Sequence, residues 1–90
     1  MTDITILTQP SCAFCDQAKE ILSRLAADFL LDVREVGLDT DEGKKLAIQH
    51  AVMFAPGILL DGKLISYGRL SEKKLKSQLT QNGTNRRKVE

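Results

Sequence analysis

Cys12 and Cys15 are the only thiols in the chain, and two residues separate them. A cysteine attacks a disulfide as its thiolate, which is favoured where the sulfur meets the unpaired N–H groups and positive dipole end of a helix. Cys12 falls where a strand gives way to a helix. Its sulfur is therefore expected to face the N–H groups of Phe14 and Cys15, and to titrate below the ~8.5 of a free thiol. Cys15 lies one turn further on, on the same side of the helix, and is expected to be buried but within reach. The pair then supports a closed cycle of attack by Cys12, a mixed disulfide, and resolution by Cys15. Nearby charge adds little: Asp16 slightly opposes a thiolate, Lys19 is one turn further along, and no histidine adjoins the pair.

Two other readings compete. A tetrahedral metal site needs four ligands. The chain offers two thiols and His50, so a closed site would need two chains. The pair could also be buried by chance. Its place at the first strand-to-helix turn favours redox chemistry. Pro56, directly before a strand, is the next informative residue. Spacing alone reads it as a loop proline, since only about 5–6% of X–Pro bonds in folded proteins are cis.

The elements that position these residues follow from apolar periodicity. Ile4, Thr5, Ile6 and Leu7 predict a strand over Thr2 to Thr8, broken by Gln9, Pro10 and Ser11. A helix is predicted from Cys12 or Ala13 to Ala27, with Phe14, Ala18, Ile21, Leu22, Leu25 and Phe29 as its stripe. A second strand runs from Leu31 to Val36, with Leu31 and Val33 on one face. Asp32, Arg34 and Glu35 place it near a sheet edge. Asp39 and Glu42 resemble a capping box for a helix from about Thr40 to His50. Leu46, Ala47 and Ile48 are its core candidates, and Gly43 weakens it.

Ile58 to Leu60 and Lys63 to Tyr67 are strands joined by the hairpin turn Asp61-Gly62. Ser71 caps the last helix, Leu70 and Leu75 flank the cap as a hydrophobic staple, and Asn82-Gly83 ends it. Met53, Phe54 and Tyr67 read as packing residues, with lining of a substrate groove as the alternative for Phe54 and Tyr67, and His50 as a cation at a helix C-terminus. The order β-α-β-α-β-β-α predicts an α/β fold: a four-stranded mixed sheet with helices on both faces. Residues 1–82 form the domain. Residues 83–90 read as a flexible polar tail in which Arg86, Arg87 and Lys88 are solvated.

Composition narrows the class. Ninety residues make one domain, and 42% hydrophobic with 28% charged residues is ordinary for a globular protein. A net charge of +1, no Trp and 4% aromatics argue against nucleic-acid and membrane partners. No apolar run approaches the ~18–20 residues of a membrane helix, and no secretory signal is visible. One isolated C-x-x-C pair fits the reducing cytoplasm better than a disulfide-stapled secreted domain.

The stretches Thr8-Gln9-Pro10-Ser11-Cys12-Ala13-Phe14-Cys15, Ala55-Pro56-Gly57-Ile58-Leu59-Leu60-Asp61-Gly62-Lys63 and Ser66-Tyr67-Gly68-Arg69-Leu70-Ser71 resemble the thioredoxin-fold proteins of the small, glutaredoxin-like kind. The resemblance runs from residue 2 to about 80. It implies a cis Pro56 packed against the cysteines and an Ala55 backbone that hydrogen-bonds an extended substrate, a form of strand addition. Phe14 and Arg69 complete the implied substrate-binding set.

Glutathione-dependent members carry a Lys before the active-site loop, Thr-Val before the proline, and Gly-Gly with a polar pair and Asp before the last helix. Here Gln9, Phe54-Ala55 and Tyr67-Gly68-Arg69-Leu70-Ser71 stand at those places, with Arg69 as one anchor for a carboxylate. The resemblance therefore implies a monomeric dithiol–disulfide oxidoreductase for protein disulfides. No resident cofactor is expected, and a flavin-type reductase or glutathione would recycle the protein. A glutathione-dependent glutaredoxin, an iron–sulfur or metal carrier and a non-catalytic binding module are the alternatives.

Overall fold

The computed structural model describes residues 1–87. It contains, in order, β1 (Thr2–Thr8), α1 (Ala13–Asp28), β2 (Leu31–Gly37), α2 (Asp41–His50), β3 (Gly57–Leu60), β4 (Lys63–Tyr67) and α3 (Glu72–Gln81). The strands lie in the order β2-β1-β3-β4. β1 and β2 are parallel, and β1–β3 and β3–β4 are antiparallel. The expected mixed sheet is thus present, with the charged strand β2 at an edge.

Alternation along β1 divides the core. Ile4 and Ile6 join Ile58, Leu60 and the apolar stripes of α1 and α3 on one face. Leu7 joins Val36 and Val52 on the other, under Leu46 and Ala47 of α2. The Asp61-Gly62 turn has positive φ at both residues (48° and 83°), as the two-residue hairpin requires. Ser71 caps α3 by accepting from the Lys74 N–H, and Leu70 and Leu75 are both buried beside that cap. Among the described residues no helix is long and apolar enough to cross a membrane.

Several expectations need correction. Thr40, not Asp39, caps α2: its Oγ1 accepts from the Gly43 N–H at 3.0 Å and donates to the Gly37 carbonyl at 2.7 Å. The cap must directly precede the first helical residue, which is Asp41. Ile48 is 83% exposed. The docked stripe of α2 is Gly43, Leu46 and Ala47, and Ile48 falls outside that spacing. Phe14 (50% exposed) lies outside the buried stripe of α1, and Met53 (88%) is not core. Val33 does share a face with Leu31, yet stays 41% exposed at the sheet edge.

The stretch after Gly83, expected to be a free tail, is docked through Arg87. Asn85 accepts from the Leu30 N–H (2.9 Å), and the Arg87 N–H bonds the Asp28 carbonyl (2.8 Å). The Arg86 guanidinium sits 4.9 Å from the Phe29 ring centre. Arg87 Nε donates to the Ala26 carbonyl (3.0 Å), satisfying an acceptor at the end of α1. The segment holds because it pairs backbone groups that the helix end leaves open. Lys88 and the remainder of the expected tail lie outside the described residues.

Arg24 of α1 and Glu72 of α3 form an exposed ion pair at 2.7 Å. The hydrogen bond from Arg24 holds the Glu72 carboxyl below the ordinary glutamate range, and Glu72 raises Arg24 in turn. A carboxylate whose pKa falls on folding contributes stability above its unfolded pKa and loses it as pH drops through the folded value. Wild type should therefore melt slightly above Glu72→Gln at neutral pH, and the gap should close in acid. Equal melting temperatures at neutral pH would show that the pair contributes nothing, as many exposed pairs do.

Candidate active site

The chain leaves β1 at Thr8 and turns through Ser11, whose φ of 54° lies in the left-handed region. Cys12 follows as the N-cap of α1, with extended backbone (φ −113°, ψ 103°). Its Sγ accepts from the Cys15 N–H at 3.1 Å. The expected two donors reduce to this one. Cys15 is buried at 2% exposure, whereas Cys12 is half-buried and reachable. The two are joined in a disulfide, with 5.2 Å between their Cα atoms. This is the oxidised form of the pair, with the outer sulfur presented and the inner one covered.

Register brings the other parts to the same end of the sheet. Leu7 pairs with Gly57, and Gly57 pairs with Tyr67. The start of β3 and the end of β4 therefore sit beside the loop that carries Cys12. The Ala55–Pro56 bond is cis, as the resemblance implied. Pro56 is buried, and its carbonyl accepts from the Gly68 N–H at 2.7 Å. Among the described residues, the Ala55 N–H and C=O enter no backbone hydrogen bond.

Phe54 and Tyr67 are about half exposed, and their rings meet edge to face at 5.2 Å. Phe14, in the first turn of α1, and Met53, before Phe54, are exposed apolar side chains as well. Arg69 does not line the cleft that holds the cysteines. It lines the grooves beside α3 and α1, with Ser71 and Lys74 in one and Gln17 and Arg24 in the other.

That cleft has a polar wall that local sequence did not disclose. Glu35 and Lys19 line it with both cysteines. Glu35 Oε2 accepts from Thr8 Oγ1 at 2.9 Å and lies 3.5 Å from Lys19 Nζ, which is 3.8 Å from Asp16. Lys19 therefore offsets both carboxylates, including the Asp16 charge that would oppose a thiolate. Glu35 is twenty positions from Cys15 in the chain (35 − 15 = 20). Only the parallel register, which sets Glu35 against Ile6, brings it here.

Comparison with known proteins gives a consistent result. Residues 2–80 match the profile of a family described as the thioredoxin domain. A probable thioredoxin of Archaeoglobus fulgidus is 25% identical over 76 residues, covering 84% of each chain. One from Methanothermobacter thermautotrophicus is 27% identical over 77 residues, covering 83% of this chain and 88% of its own. Among solved structures, a thioredoxin variant from Halobacterium salinarum superposes with a TM-score of 0.71 at 20% identity. It covers 99% of this chain and 78% of its own. A thioredoxin-like protein from Clostridium perfringens gives 0.75 at 14% identity, covering 92% of this chain and 71% of its own. At such identities the structural likeness speaks for the fold alone.

Proposed function

Because the chain belongs to the thioredoxin-domain family, we propose that it is a dithiol–disulfide oxidoreductase that reduces protein disulfides through Cys12 and Cys15. One observation carries this reading: the reachable sulfur caps a helix and accepts the Cys15 N–H, while its partner sulfur lies covered directly behind it. In the reduced form the Cys12 thiolate attacks one substrate sulfur. The S–S bond breaks, the other substrate sulfur leaves as a thiolate, and a mixed disulfide forms. Cys15 then attacks Cys12 Sγ and releases the second substrate thiol. Two electrons pass to the substrate, and the chain is left in the disulfide form seen here.

The apolar surface and the unpaired Ala55 backbone suit an extended polypeptide. Strand addition at Ala55 would supply main-chain hydrogen bonds, and the exposed rings would receive flanking side chains. Glutathione instead presents two carboxylates, and Arg69 lies away from the cysteine cleft. A metal site held within a single chain finds no support. Among the described residues no three His, Cys, Asp or Glu side chains converge. A donor of this kind must be kept reduced, which suits the cytoplasm.

The deciding test is recycling. With NADPH and a thioredoxin-type flavin reductase, the protein should turn over a disulfide-containing protein substrate. With glutathione and glutathione reductase, turnover should stay at background. The opposite pattern would make it a glutaredoxin, and no turnover with either would remove the proposal.

A further inference from the structure

β2 is an end strand of the sheet, and among the described residues no strand pairs with its outer edge. The hydrogen bonds at its two ends show which groups face outward. The Leu30 carbonyl accepts from the Thr2 N–H, and the Leu38 N–H donates to the Thr8 carbonyl. In a parallel pair, alternate residues of a strand direct both backbone groups at the neighbour, and those between direct both away. The residues facing β1 are therefore Asp32, Arg34 and Val36. The N–H and C=O groups of Leu31, Val33 and Glu35 point away from the sheet.

The edge carries the charges Asp32, Arg34 and Glu35 but no bulge. β2 keeps regular register with β1 along its whole length. β4, the opposite end strand, shifts register against Ile58 and Leu59 of β3, with Ile65 left out of the pairing, an irregularity of the kind that blunts an edge. Among the described residues, the backbone of the docked C-terminal segment pairs with Asp28–Leu30 and not with β2. Val33, 41% exposed, lines a groove with Ile6, Leu22 and Ala26, bordered by Lys19, Ser23 and Glu35.

We propose that the β2 edge is a self-association surface, and that its occupant is a second copy of this chain paired antiparallel about a two-fold axis at Val33. The strand is complementary to itself only in this register. Val33 faces the partner's Val33, and Leu31 faces the partner's Glu35. All the outward N–H and C=O groups of these three residues then find partners. On the other face of the sheet, Asp32 meets the partner's Arg34, and Arg34 meets the partner's Asp32. Such isologous reciprocity is what a two-fold interface requires, and opposite charges across a strand pair attract. A parallel pairing in register would instead set Asp32 on the partner's Asp32. Arg34 already donates through Nη1 to Glu42 at 2.7 Å. Its remaining guanidinium N–H groups are free to reach a second carboxylate. The two α1 helices would flank the junction, with both Val33 side chains closing the groove between them.

Sedimentation of the full-length oxidised protein, over concentrations up to the millimolar range, tests this. Wild type should show reversible, concentration-dependent dimerisation. On the face that bears residues 32 and 34, Asp32→Arg leaves only positive charges and Arg34→Asp only negative ones. Each alone should dimerise roughly tenfold more weakly or worse, since two attractive pairs per dimer become repulsive. An equimolar mixture of the two should restore association. Val33→Lys should also keep the chain monomeric while leaving its circular dichroism unchanged, which separates lost pairing from lost folding. Monomeric wild type at millimolar concentration overturns the proposal. So does association in which the charge variants match wild type, or in which their mixture fails to recover.

Discussion

Replacing Cys12 by serine is expected to bring protein-disulfide reduction down to the uncatalysed background, whereas Cys15→Ser should keep the attacking step and stall after it. The difference follows from how the two sulfurs are placed. Cys12 is the reachable one, and a serine hydroxyl at the N-cap can accept the same N–H bond without being a nucleophile toward sulfur. The Cys12→Ser chain should therefore fold normally and do nothing. Without Cys15, the mixed disulfide between Cys12 and the substrate has no internal thiol to resolve it, and a covalent adduct accumulates. Non-reducing electrophoresis and mass spectrometry would detect that adduct.

The Cys15→Ser variant also isolates the ionisation of Cys12. The neighbouring N–H and the helix dipole both favour its thiolate, so alkylation should reach half its maximal rate below the ~8.5 of a free thiol. Appreciable turnover by Cys12→Ser, or alkylation of Cys12 that titrates like a free thiol, would remove the basis of the proposed mechanism.

What could be read from the sequence divides by range. Signals carried by a few consecutive residues were legible: the alternation of β1, the stripe Ala18, Ile21, Leu22 and Leu25, the Asp61-Gly62 turn, and Ser71 between Leu70 and Leu75. In each case one physical requirement is met within a turn or two of chain. The C-x-x-C pair belongs with them, because a helix brings residues three apart onto one side. Exposure was harder to read. Phe14, Ile48 and Met53 are apolar, yet the neighbouring elements do not reach them. Hydrophobicity alone does not reveal where a sheet or helix ends its cover.

The element order disclosed the mixed sheet, but two particular contacts between distant segments were not legible. Glu35 enters the cysteine cleft through strand register, and Asn85–Arg87 dock on the end of α1. The latter stretch is polar and short, and it is held by backbone pairing and one guanidinium over a ring. Neither leaves a periodicity for a sequence to display. The cis bond at Pro56 came from family resemblance, since nothing in its local spacing distinguishes it from an ordinary loop proline.

Gly43 reverses sign between sequence and structure, and the reversal yields the second large expected effect. Read as helix propensity, Gly43→Ala should stabilise α2 by up to about 1 kcal/mol. The structure places Gly43 where α2 lands on the end of β2. A Cβ there would run into the Gly37 carbonyl oxygen, with the Gly37 carbonyl carbon at 2.7 Å and the Leu38 Cα at 3.0 Å. All three atoms are backbone, so no side-chain rotation relieves the collision and the helix itself must lift. Overpacking of this kind costs about 1–3 kcal/mol. Lifting also strains the Thr40 cap, because the Gly43 N–H is the group that Thr40 binds; losing such a cap costs ~1 kcal/mol.

The unfavourable effects together exceed the propensity gain, so Gly43→Ala is expected to lower stability by roughly 1–3 kcal/mol. The denaturation midpoint should fall with the slope unchanged. Gln49→Ala, at an exposed position of the same helix, should move it by less than about 0.5 kcal/mol. A Gly43→Ala chain as stable as wild type would show that α2 is not seated on β2 through this contact. The seat matters for chemistry as well, because α2 hands the chain through buried Val52 to Ala55 and Pro56. A lifted α2 should therefore weaken protein-substrate reduction in Gly43→Ala, while Cys12, anchored on β1 and α1, keeps its alkylation profile.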